Sequence, residues 1–167
     1  MGCVFMTIDR NVSYVLILII ASLSLLTAIP PILPDRIVEP FSELGILGPN
    51  VKMSDYTEEV EVGEPFSLFL YVGNHEGRVM YYRTLVKVGD QMNFASETDP
   101  MDAPILARYE HVILNKDNST TPVTLSIDRP GINSRLVLEL YKYDEGVHDF
   151  VYSGQWVQIW MNVTAPT

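Results

Sequence analysis

The stretch Gln155-Trp156-Val157-Gln158-Ile159-Trp160-Met161-Asn162-Val163 decides the fold. Val157, Ile159, Met161 and Val163 fall on alternate positions, so in an extended strand they share one apolar face. Trp156, Gln158, Trp160 and Asn162 take the other. Val123, Leu125 and Ile127 repeat the pattern, with Thr124 and Ser126 opposed. Phe66, Leu68, Leu70 and Val72 face one way and Phe69 and Tyr71 the other, which reads as a central strand buried on both sides.

Working outward, strands are expected at Phe41 to Leu47, Glu58 to Val62, Phe66 to Val72, Val79 to Val88, Ile105 to Leu114, Val123 to Ile127, Leu136 to Tyr143 and Gln155 to Val163. Turn chemistry separates them: Gly48-Pro49-Asn50, Gly63-Glu64-Pro65, Asn74 to Gly77, Asp117-Asn118, Arg129-Pro130-Gly131 and Glu145-Gly146. Helical periodicity is absent here, and short strands at this spacing predict an all-β, immunoglobulin-like antiparallel β-sandwich.

Before the strands, Val12 to Ile29 is one uncharged apolar run. As a helix it approaches the roughly 30 Å of a hydrocarbon core, so a transmembrane helix is expected, with membrane lipid as its partner. A cleaved leader ending near Thr27 and Ala28 is the rival reading, though it lacks the usual alternation of small residues. Arg10 precedes the run while Asp35, Arg36 and Glu39 follow it, which favours a cytoplasmic amino terminus and an extracytoplasmic carboxyl-terminal domain at the cell membrane. Pro30, Pro31 and Pro34 are expected to end the helix in a stiff spacer. The division is then 1–11, 12–29, 30–40 and 41–167.

The chain has 167 residues and a formal net charge of -10. With Asp9 and Arg10 set apart, 20 acidic and 10 basic residues remain of totals of 21 and 11. That excess argues against nucleic acid as a partner. Cys3 is the only cysteine, so no internal disulfide staples the domain.

Chemistry is sparse. His75, His111 and His148 lack ligand spacing, and no nucleophile elbow or phosphate loop occurs. His75 with Glu76 is open to two readings, a metal pair or side chains bonding their own turn. Asp90, Glu97, Asp99 and Asp102 crowd the long segment Gly89 to Pro104, which reads as a calcium loop or a solvated acidic loop. No catalytic residue, cofactor or metal is assigned, and an enzyme is not expected. Sequons at Asn118 and Asn162 are possible glycan sites. Trp156 and Trp160 form a partner face unless a loop covers them.

Several phrases carry a resemblance: Phe41-Ser42-Glu43-Leu44-Gly45-Ile46-Leu47-Gly48-Pro49-Asn50, Val62-Gly63-Glu64, Val72-Gly73-Asn74-His75-Glu76, Pro130-Gly131-Ile132-Asn133 with Leu138-Glu139-Leu140-Tyr141, and Trp160-Met161-Asn162-Val163. Over most of Phe41 to Val163 the chain resembles an archaeal membrane-protein family, the domain-of-unknown-function family 1616. The resemblance implies an extracytoplasmic immunoglobulin-like sandwich beside a membrane segment and implies no activity. Two functions are then expected: a non-catalytic binding or structural module of the archaeal cell envelope, contacting another membrane or envelope protein, or an accessory subunit of a membrane-bound enzyme complex such as an archaeal ammonia monooxygenase or respiratory oxidase. A metal carrier using the histidines with Met53, Met80, Met92 and Met101 is the third.

Overall fold

The computed structural model describes residues 10–32 and 39–165, with side chains from 10 to 24 and from 39 onward. It divides into two units, 1–38 and 39–167.

In the first unit, α1 (Arg10–Ile32) is a 23-residue helix. Ser22 and Ser24 donate their hydroxyls to the carbonyls of Leu18 and Ile20, both at 2.8 Å. Among the described residues no helix is long and apolar enough to cross a membrane. This corrects the transmembrane helix expected over Val12 to Ile29. Among the described side chains the apolar run is broken by the polar residues Ser13, Ser22 and Ser24. Pro30 and Pro31 do not end the helix, which runs to Ile32. The φ that a proline ring fixes is itself close to helical. The rest of the proposed spacer up to residue 38, like Cys3 and Asp9, lies outside the described residues.

Among the described residues the second unit contains eight strands: β1 (Phe41–Leu47), β2 (Glu59–Glu61), β3 (Phe66–His75), β4 (Met80–Gly89), β5 (Ile105–Ile113), β6 (Asp117–Leu125), β7 (Gly131–Asp144) and β8 (Asp149–Thr164). One sheet has the order β1-β3-β6, the other β2-β8-β7-β4-β5. Two stacked sheets, with the seventh and eighth strands beside the fourth, make an immunoglobulin-like arrangement. The fold is all-β, as expected. One pairing departs from the antiparallel expectation: β2 runs parallel to β8. This short strand sets Val60, its one buried residue, beside Val163 in the core.

Between the sheets lie Leu68, Leu70 and Val72 of β3, Tyr82 and Val86 of β4, Val123 and Leu125 of β6, Leu136, Leu138 and Leu140 of β7, and Ile159, Met161 and Val163 of β8. Alternation therefore reads the inward faces correctly. β3 is central in its sheet, but Phe69 and Tyr71 are only half-buried. The strand covered on both faces is β7, where Leu136 to Leu140 are all buried. Something outside the sandwich must cover its second face.

Candidate binding face

That second face is the outer surface of the five-stranded sheet, and register orders its side chains into rows across β5, β4, β7 and β8. Val112, Tyr81, Tyr143 and Phe150 make the first row; Glu110, Arg83, Tyr141 and Tyr152 make the second. Arg108, Leu85, Glu139 and Trp156 follow, then Ile105, Lys87, Val137 and Gln158. Arg135 and Trp160 end the series beside Gly89.

The segment from Asp90 to Pro104 crosses the later rows as a strap. Ala95 and Met101 are buried against Val137, with Ala103 and Trp156 packed alongside. Beneath it Lys87 is 6% exposed and Glu139 is 0% exposed. Their charges pair at 2.9 Å between Nζ and Oε2. Lys87 also donates to the Met101 carbonyl at 2.7 Å, the Met101 N–H donates to Glu139 Oε1, and the Tyr141 hydroxyl donates to Glu139 Oε2 at 3.1 Å. A buried carboxylate and a buried ammonium are thus each held by more than one partner, the condition under which such a pair is tolerated. Because two of these bonds go to the backbone of Met101, the pair ties strap to sheet.

Tyr152 adds a third tie, donating to the Ser96 carbonyl at 2.9 Å. Two extra residues of β8, Ser153 and Gly154, bulge at this point. Gly154 has φ +74° and a Cβ there would meet the Glu97 carbonyl oxygen at 2.6 Å, so only glycine lets the strap pass so close.

Burial pushes the Tyr152 hydroxyl up to about 12, with the Glu139 and Asp99 carboxylates adding to the shift. Tyr141 moves in the same direction, through burial and then Glu139. Unfolded, both titrate near 10. Between pH 10 and 12 the unfolded chain therefore holds fewer protons than the folded one, and stability falls as pH rises. This contribution is whole below pH 10 and is lost as pH climbs through the folded values. Denaturant melts at stepped pH should show that decline, with a shallower slope for Tyr152→Phe.

The first row and the Glu110–Arg83 end of the second are left open by the strap. Tyr81 and Phe150 meet edge to face at 4.7 Å and Tyr143 and Phe150 at 5.4 Å, while Tyr81 and Tyr143 lie tilted at 5.9 Å. The Arg83 guanidinium lies 3.8 Å above the Phe150 ring, its Nε donating to Glu110 Oε1 at 2.8 Å; the Tyr81 hydroxyl also donates to Glu110. Val112, at 68% exposed, and Val79 and Val147 extend the apolar surface. Here aromatic rings and an arginine are fixed by one another.

The two tryptophans of the expected partner face are separated. Trp156 is half-buried beneath the strap. Trp160 stays 42% exposed, with the Arg135 guanidinium 4.5 Å above its ring. Of the sequons, Asn118 is exposed at the start of β6, whereas the half-buried Asn162 accepts the Asn133 N–H at 3.0 Å.

The other candidates serve the fold. Asn74, at 0% exposed, donates to the Arg78 and Ile113 carbonyls at 2.8 Å each and accepts the Glu76 N–H at 2.9 Å. Its neighbours diverge. His75 stacks on Phe41 at 4.6 Å, while Glu76 accepts from Ser42 and Lys142, both at 2.6 Å. In the acidic segment Asp90 accepts the N–H groups of Met92 and Asn93, and Asp99 accepts the Thr98 hydroxyl. Among the described residues no three His, Cys, Asp or Glu side chains come together as a metal-holding group. Lys87, Glu139 and the Tyr81–Tyr143–Phe150 cluster escape sequence reading, although a lone charge inside Val86-Lys87-Val88 and inside Leu138-Glu139-Leu140 is a visible signal.

Residues 35–162 match the family model described as Domain of unknown function (DUF1616). The chain belongs to this family. The DUF1616 match covers the whole sandwich apart from its last residues and does not extend to α1. No curated protein matches the chain. Among solved structures, this DUF1616 chain is similar to the CARDB domain of the PF1109 protein of Pyrococcus furiosus, in complex with di-metal ions, with 10% identity, a TM-score of 0.48 and coverage of 78% of this chain and 95% of that one. It is also similar to the β-glucosidase of Listeria innocua in complex with glucose, at 12% identity and a TM-score of 0.46, covering 74% of this chain and 16% of the enzyme. A PapD-like domain of human CEP192 is similar at 10% identity and a TM-score of 0.38, covering 80% and 96%.

Proposed function

We propose that this DUF1616 chain is a non-catalytic binding module of the cell envelope that engages a protein partner through the open end of its five-stranded sheet. The observation that carries the reading is the mutually fixed group Tyr81, Tyr143, Phe150 and Arg83 on an uncovered face. Rigid aromatic and arginine side chains dominate interface energies because little conformational entropy is lost when they bind. The adjoining Val79, Val112 and Val147 supply apolar area, and Arg108 and Glu110 a charged rim.

The test pairs two variants that spare the core. Phe150→Ser combined with Tyr143→Ser should lower the unfolding midpoint modestly through the lost ring contacts, leaving the chain folded, and weaken capture of a co-purifying envelope protein about tenfold, the scale of one hot spot. Thr124→Ser, on the opposite sheet, should leave capture alone. Equal capture by the unmodified chain and both variants contradicts the reading.

A further inference from the structure

We propose that β5 pairs antiparallel with β5 of a second copy of this chain, in a register centred on Tyr109. Among the described residues four strands are sheet edges: β1, β2, β5 and β6. β2 is three residues long, and β6 carries Pro122, which has no N–H to offer. β1 has Glu43 as its one charge and so no complement to itself. β5 is nine residues long and presents Arg108 and Glu110 on the same outer face, two positions apart.

An unpaired strand edge is a template for another strand. Two identical strands meeting about a twofold axis make a self-complementary contact in which residue i faces j and j faces i. Faces match only when the opposed residues share parity. Centring on Arg108 sets Arg108 against itself, and centring on Glu110 does the same with Glu110. Centring on Tyr109 places each Arg108 opposite the other copy's Glu110, giving two ion pairs across the axis at directly opposed positions. The Arg108 side chain makes no hydrogen bond or ion pair among the described residues, although its charge acts on Glu110 of its own strand, whereas Glu110 is held in place by Arg83. Exposed Val112 and Ile105 flank the paired segment. Joined this way the two five-stranded sheets become one of ten strands, and both open aromatic faces look to the same side. A partner with two epitopes could then engage both faces at once.

Sedimentation equilibrium of the full chain tests this directly. The unmodified protein should show a reversible dimer that weakens as salt is raised. Arg108→Glu, which sets like charges opposite one another, should weaken the dimer at least tenfold, and Glu110→Arg should do so too. An equimolar mixture of R108E and E110R chains should recover association as a heterodimer, because at both opposed positions a glutamate of the first chain then faces an arginine of the second. An unmodified chain that stays monomeric to its solubility limit overturns the proposal, as does a dimer of unchanged strength in R108E. If E110R fails to fold, the R108E comparison still decides.

Discussion

Lys87→Met should destabilise the sandwich by about 3–5 kcal/mol, the cost of leaving one member of a buried ion pair uncompensated. Methionine fills similar volume, so the loss is chiefly electrostatic. Glu139 would remain at 0% exposed, keeping the Tyr141 and Met101 hydrogen bonds but facing no cation. The Met101 carbonyl would lose its donor, and the strap one of its ties to the sheet. Chemical denaturation of the variant should show a lower midpoint. Replacing both partners, Lys87→Met with Glu139→Leu, removes the uncompensated charge but orphans the buried N–H and carbonyl of Met101, so it should recover only part of the loss. A single-variant cost below about 1 kcal/mol, the range of exposed pairs, would show that the pair is not sealed by the strap.

Asn74→Ala should cost about 3 kcal/mol, because three bonded groups lose their partner in a site closed to water and each buried orphan costs about 1–3 kcal/mol. The groups are the carbonyls of Arg78 and Ile113 and the N–H of Glu76. The amide thereby ties the β3–β4 turn to the end of β5, across 39 residues of sequence. Asn74→Asp keeps the acceptor for Glu76 but turns both donors into an acceptor facing carbonyl oxygens, so it should be no better than alanine. Thermal melts of the two variants check this, and a melting temperature for N74D indistinguishable from that of the unmodified chain would refute the assigned bonding.

How much of this is legible in the sequence varies by feature. Val123, Leu125 and Ile127 face the core as alternation predicts, because the pleat leaves no other arrangement for three apolar residues at period two. The start of β6 reads as a turn and is strand: Asp117 and Asn118 are polar because they lie at a solvent-facing edge, and β3 pairs with them nonetheless. Double-sided burial is expected of β3 and belongs to β7. The hydrophobic run of β7 includes Glu139, which lowers its apparent apolarity, and the strap residue that bonds it lies 38 positions earlier. Such non-local cover leaves little trace in strand periodicity. The strap itself has the composition of a solvated acidic loop, since its charges outnumber the two side chains, Ala95 and Met101, that bury it. The same cover divides the tryptophan pair, hiding Trp156 and leaving Trp160 open. At Val12 the apolar run is legible as a helix, while the further reading of a membrane span is not met among the described residues.

The division of the outer face into a strapped half and an open aromatic half underlies the binding site, the tyrosine titration and the effect of Lys87→Met alike. Native-state hydrogen exchange resolved at the Met101 amide tests it most directly, because that N–H is bonded to Glu139 beneath the strap and to nothing in the sheet ladder. The account predicts protection comparable to that of β7 amides, reporting opening only with the sandwich. Exchange at the rate of an unstructured loop, with β7 still protected, would contradict it.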